Sequence, residues 1–292
     1  MPVMGVLLIS LIIGVVVGVL SGMLGVGGGM VMIPVFRLGY GMAAIQATAT
    51  SLFAIVPISI AGMVTHVRNK TCYPKLGAAA GIGGALVSPI GVRLANISPS
   101  WAVMLAAAGV IGYASITMLR KALALPKGEE QARERASVNP NDSAGGSMKA
   151  DADSTADAVP AAHPADIVFT PRMLAIGVAI GMVAGFASGY VGVGGGFIMV
   201  PMFITLFGTT MKKTSGTSLF AICILAVPGV IGQLMLGNVM VGAGVAMAAG
   251  AIPGAILGAN LMRRLPERLL RFIFSAMLGF AAIMLVLKEF GF

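Results

Sequence analysis

Three consecutive glycines inside an apolar run are a strong constraint on a chain, and here they occur twice. Gly25-Val26-Gly27-Gly28-Gly29, with Pro34 just beyond, returns as Gly192-Val193-Gly194-Gly195-Gly196 with Pro201. The offset is 167 residues, and it holds without a gap over about 100 positions. Ser21 and Gly22 match Ser188 and Gly189, and Gly62 and Gly91 match Gly229 and Gly258. The block Thr50-Ser51-Leu52-Phe53-Ala54-Ile55 matches Thr217-Ser218-Leu219-Phe220-Ala221-Ile222. A unit of this length is too long for a solenoid repeat and implies two similar halves. Each glycine costs a helix about 1 kcal/mol relative to alanine, so three together imply that the backbone leaves the helix.

The surroundings of these turns decide what solvent they meet. The chain is 58% hydrophobic and only 10% charged, with mean hydropathy +0.97. Soluble domains carry about 25% charged residues, so long uncharged runs here imply bilayer spans. The net charge of +9 comes from basic residues in short loops between apolar runs, which argues for membrane orientation and against nucleic acid. Eight of the ten acidic residues lie between Glu129 and Asp166, and Glu267 and Glu289 sit at segment ends. No carboxylate therefore falls inside an apolar run, which weighs against a cation substrate and a carboxylate proton relay. Cys72 and Cys223 have no metal-ligand spacing and imply no bridge.

Apolar segments are expected at 3–24, 28–36, 43–67, 76–94 and 101–119, and again at 173–191, 195–207, 214–236, 239–262 and 272–287. Residues 3–24 lack the basic start of a secretory signal and read as a first membrane segment. The expected organisation is a first transmembrane repeat over 1–122, a disordered cytoplasmic linker over 123–170 and a second repeat over 171–292. Each half has either five crossings or three crossings plus a hairpin that dips in and returns. Either count is odd. With the N-terminus outside, the inner loops carry Arg68, Lys70 and Lys75; Arg120 and Lys121; Lys212 and Lys213; and Arg263, Arg264, Arg268 and Arg271. The outer side receives only Arg37, Arg93 and Lys288. Odd parity makes the two halves inverted-topology repeats, with both termini outside. The expected fold is thus an all-α membrane protein of two inverted repeats, with broken or re-entrant helices at the glycine turns.

The glycine turns fit no nucleotide motif. Met30 and Phe197 stand where a dinucleotide fingerprint needs its last glycine, and no lysine follows as in a phosphate loop. Irregular backbone at membrane depth is tolerated where it is buried or lines a wet cavity, and helix N-termini there attract anions. Gly27, Gly28, Gly29, Gly194, Gly195 and Gly196 are therefore expected to bind substrate. The hydroxyls of Thr50, Ser51, Thr217 and Ser218 join them as donors to substrate oxygens. Gln46 and its repeat partner Lys213 are further possible contacts, and His66 is a possible proton carrier. No metal cluster, cofactor motif or nucleophile–base set stands in the spans, so the chain reads as a transporter and not an enzyme. The partners expected are a small anion, the lipid bilayer and a coupling ion, H⁺ or Na⁺.

The paired G-x-G-G-G-x-x-x-x-P turns, each followed by its Thr-Ser-Leu block, resemble those of the sulfite exporter TauE/SafE family of membrane transport proteins. The resemblance covers both halves and leaves out the linker, which is longer than the family leads one to expect. It implies a multi-pass protein of the inner membrane that moves sulfite, an organosulfonate or a related sulfur oxyanion by alternating access. It maps Gly25–Pro34, Gly192–Pro201 and the hydroxyls at Thr50, Ser51, Thr217 and Ser218 onto the family's repeated motifs. The alternative is an uncoupled small-anion channel.

Overall fold

The structure, a computed structural model, describes residues 3–124 and 170–289, and the expected linker lies almost wholly outside them. The described residues form ten α-helices and no strand. In the first half these are α1 (Val3–Leu24), α2 (Gly29–Gly39), α3 (Ala44–Arg68), α4 (Pro74–Ile97) and α5 (Ser100–Leu123). In the second half they are α6 (Pro171–Val191), α7 (Gly196–Phe207), α8 (Met211–Met235), α9 (Val241–Met262) and α10 (Glu267–Glu289). Six of them, α3, α4, α5, α6, α8 and α9, are long and apolar enough to cross a membrane. Leu86, Tyr113 and Phe280 are among the large apolar side chains left exposed on the outward faces, where lipid is their natural solvent. The chain folds as an all-α membrane protein.

The helices run beyond the apolar segments where charged residues cap their ends. α10 starts at Glu267 and so contains Glu267, Arg268 and Arg271, and α5 runs through Arg120 and Lys121. Long basic side chains keep their heads in water while their stems cover apolar surface, so charge ends a hydropathy run before it ends a helix.

Small residues bring the two halves into contact. Along α1, a side-chain carbon added at Gly18 would land on the carbonyl of Ala251, and one at Gly22 on that of Ala255. Along α6, the same test at Gly185 meets Gly84, and at Gly189 it meets Ser88. These are the same contacts shifted by 167 positions. In a bilayer this close backbone approach replaces the hydrophobic effect as the source of helix association. The order of the contacts makes α1 parallel to α9, and α6 parallel to α4. The equivalent helices α3 and α8 pack antiparallel, with Gly62 against Leu219 and Leu52 against Gly229.

Candidate functional site

The site is built where α1 and α6 stop. Gly25, Gly27 and Gly28 have φ of 77°, 84° and 83°, and their counterparts Gly192, Gly194 and Gly195 have 77°, 96° and 71°. Positive φ at three positions in a stretch of four residues excludes side chains and ends the helix. Gly28 and Gly195 then cap the short helices α2 and α7. These have 11 and 12 residues, so each reaches about 17 Å, roughly half of a bilayer core.

The chain path gives the direction of the short helices. α9 lies parallel to α3, since Met240 meets Thr50 and Gly244 meets Phe53, and α1 lies parallel to α9. α1 therefore starts on the side where α3 starts. α2 returns to that side, because only residues 40–43 separate it from α3. Each half is thus an antiparallel pair, α1–α2 or α6–α7, followed by three long helices.

The two glycine turns cross in direct contact. An added carbon at Gly29 would sit 2.7 Å from the carbonyl oxygen of Val193. One at Gly196 would sit 2.9 Å from Cα of Val26. Each half-helix thus begins against the turn of the other half, where the N–H of Gly196 returns to the carbonyl of Gly194 at 2.9 Å and those of Val31 and Ile198 return to the capping carbonyls of Gly28 and Gly195 at 3.2 and 3.1 Å. Two buried side chains fill the crossing. Ile55 lies 3.1 Å from the carbon positions of both Gly27 and Gly194, and Ile222 lies 2.9 Å from that of Gly196. Ile55 and Ile222 close the repeated Thr-Ser-Leu-Phe-Ala-Ile blocks, yet read as ordinary core in the sequence.

The hydroxyls expected at the site divide into three groups. Thr50 accepts the backbone N–H of Met240 at 3.0 Å, and Thr217 accepts that of Tyr73 at 2.9 Å. Those bonds tie α3 to the start of α9 and α8 to the start of α4. Ser218 donates to the carbonyl of Gly25 at 2.6 Å and holds the first turn. Ser51, its repeat partner, is buried and has no hydrogen-bond partner. Ser21 and Ser188 share that condition. They lie one helical turn ahead of Gly25 and Gly192, whose N–H groups their own carbonyls accept at 2.8 Å. Sequence reasoning matched Ser21 to Ser188 but did not place them at the site. Their recurrence beside the turns was the available signal.

His66 sits at the junction of α1, α3 and α8. Its Nε2 is 2.8 Å from the carbonyl oxygen of Gly22, and a carbonyl only accepts, so Nε2 carries a proton. Nδ1 faces the Thr71 hydroxyl at 2.8 Å. Gly22 is among the last residues of α1, whose carbonyls the helix leaves unserved, so His66 caps that end. Its repeat partner Gln233 accepts from Asn238 at 2.8 Å, the counterpart of Thr71. Lys213 places its ammonium 4.8 Å from the centre of the Tyr73 ring, and Gln46 is half-buried near the start of α3. The structure thus brings the six glycines together, with Ser218 bound to the first turn at Gly25 and Ser51 buried on the equivalent helix α3. It places Thr50, Thr217 and His66 in bonds that join helices.

The family model for the sulfite exporter TauE/SafE matches residues 10–285. The chain belongs to the TauE/SafE family. The match spans both glycine turns and both Thr-Ser-Leu blocks, the elements that build the crossing. The chain is also 25% identical over 255 residues to the probable membrane transporter protein YunE of Bacillus subtilis (strain 168), covering 84% of this chain and 85% of that one. It is 25% identical over 251 residues to YdhB of the same organism, also a probable membrane transporter protein, covering 86% and 88%. No solved structure matches the chain. This TauE/SafE protein is a membrane transporter.

Proposed function

We propose that the protein is a secondary transporter that moves a small sulfur-containing anion, sulfite or an organosulfonate, by alternating access around the crossed glycine turns. The observation that carries the reading is the meeting of two half-helix N-termini beside buried hydroxyls that lack partners. An unsatisfied buried hydroxyl costs about 1–3 kcal/mol, which a bound oxyanion or water would recover. The half-helix N–H groups supply positive potential without a formal charge, as an oxyanion requires. Gly27–Gly29, Gly194–Gly196 and Ser51 are the proposed contacts, joined by Ser21 and Ser188, while Ser218 gives its proton to the Gly25 carbonyl and holds the first turn.

The halves act as inverted repeats in this reading. The antiparallel packing of α3 on α8 and the reciprocal contacts of α1 on α9 and α6 on α4 support it. Both termini lie outside and the linker inside, an orientation favoured by the side on which the basic loops gather. Ile55 and Ile222 fill the crossing in this conformation, which favours a gated carrier over an open pore.

A thermal-shift screen of the purified protein tests the substrate. A ligand that binds the folded state stabilises it by about 2.7 kcal/mol at a hundredfold excess over its dissociation constant. The expected result is a shift with sulfite or one organosulfonate and none with a matched carboxylate. Shifts with carboxylates alone would overturn the sulfur specificity.

A further inference from the structure

A second concentration of charge lies at the other end of α7, remote from the glycine turn. Arg271 on α10 is 4% exposed, and one of its amino groups is bound to Glu267. The same carboxylate oxygen accepts the backbone N–H of Met211 at the start of α8, at 3.3 Å. One negative charge is therefore shared between a guanidinium and a helix N-terminus. Nε of Arg271 is buried and has no hydrogen-bond partner among the described residues. Lys121, in the last turn of α5, donates to the hydroxyl of Thr205 on α7. α5 and α10 pack antiparallel, with Ser115 and Ser275 each donating to the other's carbonyl at 2.8 and 2.9 Å, and this register puts Lys121 and Arg271 at the same end of the pair.

Among the described residues the balance of charge is incomplete. Two cations and one carboxylate leave an excess positive charge in a partly buried place, where an unpaired charge is costly. The negative end of the α7 dipole offsets part of it. That dipole gives no partner to Nε of Arg271. The repeat does not explain the cluster either, because the first half carries Ser100 and Met104 where the second has Glu267 and Arg271.

We propose that Lys121, Arg271 and Thr205 form a binding position for a small oxyanion at the linker-side mouth of the second half. The Lys121 ammonium and Nε of Arg271 supply charge-assisted hydrogen bonds, while the Thr205 hydroxyl, which donates to the carbonyl of Pro201, accepts from Lys121 and positions its ammonium. As a waiting position on a transport route, it rests on the transport reading above. As an oxyanion site, it stands without that reading.

The test is protection of the Lys121 amine from an amine-reactive ester, read by peptide mass spectrometry on the full-length protein in neutral-lipid nanodiscs. Sulfite, sulfate, acetate and chloride are the probes, and exposed Lys70 is the internal reference. Sulfite or sulfate at about ten times its dissociation constant slows labelling of Lys121 on the order of tenfold, while Lys70 is unchanged. Arg271→Gln and Thr205→Val weaken the protection. Thr205 is exposed, so its variant carries the comparison if the buried Arg271 variant does not fold. Equal labelling of Lys121 with and without every anion overturns the proposal. So does protection that only added phosphatidylglycerol confers, or protection that survives both substitutions. Flux measured in parallel separates the two readings. Sulfite flux without protection removes this site alone. Protection without flux of any anion removes the transport reading and leaves the site.

Discussion

Ser218 donates to the carbonyl of Gly25 at 2.6 Å, while Ser51, its equivalent 167 residues earlier, has no partner. The two halves share their scaffold contacts to the level of individual glycines, but this bond occurs in only one of them. The first glycine turn is held by a hydroxyl of the other half. Ser51 makes no such bond to the second turn, where it is Thr48 that packs against Gly192.

The two serines should therefore respond differently to removal. Ser218→Ala loses a hydrogen bond between helices, which in a membrane protein is worth about 0.6 kcal/mol and at most about 1.7. Ser51→Ala loses no bond and should unfold close to wild type. Its defect should appear instead as a raised KM for the transported anion. Thermal unfolding and proteoliposome flux on the same two variants read both quantities. Equal stability losses, with KM unchanged in Ser51→Ala, would remove Ser51 from the site.

Gly29 and Gly196 should tolerate no substitution, for a reason distinct from φ. Neither has positive φ, yet a methyl group at either collides with the backbone of the opposite turn. Gly29→Ala and Gly196→Ala should lower stability by more than 1 kcal/mol, on the order of the overpacking range. Gly109→Ala is the control, because nothing lies within 4 Å of its added carbon. It should match or slightly exceed wild type, since alanine favours a helix. Gly28 is a poor probe of binding. Its φ of 83° and the methyl of Val17 at 2.9 Å from the added carbon make a substitution there a fold defect as well.

Much of this arrangement was legible in the residues. Positive φ and close backbone approach both demand glycine, so Gly25–Gly29 and Gly192–Gly196 announced the broken helices. The shortness of α2 was visible as the apolar run 28–36, although the helix continues through Arg37 to Gly39. The hydroxyl partners were not legible. Thr50 and Thr217 look identical to Ser51 and Ser218 in the repeat, but their oxygens meet N–H groups from loops 190 and 144 residues away. Which buried hydroxyl stays unpaired is decided by the tertiary packing. Ile55 and Ile222 carried no polar signal, although they sit at the crossing. The early start of α10 was hidden because Glu267 and Arg271 satisfy each other one helical turn apart, which hydropathy does not register.

His66 should be replaceable by glutamine. Position 233, its repeat partner, already holds that residue, and an amide can donate to the Gly22 carbonyl as Nε2 does. His66→Gln should keep wild-type stability. His66→Leu should cost about 1–3 kcal/mol by leaving the Gly22 carbonyl without its partner. Proton coupling through His66 adds a second readout. His66→Gln would then keep flux but lose its dependence on an imposed pH gradient. Unchanged pH dependence in this stable variant would leave His66 with a capping role alone.

The orientation can be tested with single cysteines and a membrane-impermeant maleimide. Arg68 and Arg93 are exposed near opposite ends of the long helices α3 and α4. On a background lacking Cys72 and Cys223, Arg93→Cys should react in intact cells, and Arg68→Cys only after permeabilisation. The reverse pattern would invert the assignment of the termini. With Cys72 retained, its labelling at neutral pH should be slow. Burial raises that thiol above its ordinary pKa, so the reactive thiolate is scarce and labelling accelerates as pH rises.

The carrier and channel readings part at Ile55 and Ile222. Both side chains are buried and fill the space between the glycine turns. A carrier needs such a barrier, because its site must never open to both sides at once. Wild-type flux should therefore saturate with anion concentration. Ile222→Ala removes three carbons from the barrier, at a cost of about 2–5 kcal/mol in stability, so Ile222→Val at about 1 kcal/mol is the companion variant. Both should add a leak that rises linearly with concentration, larger in alanine than in valine. Flux in sulfite-loaded proteoliposomes measures the two components together. Linear, unsaturable flux already present in wild type would give the molecule to the channel reading. Saturable flux that stays unchanged in both variants would move the barrier away from the crossing.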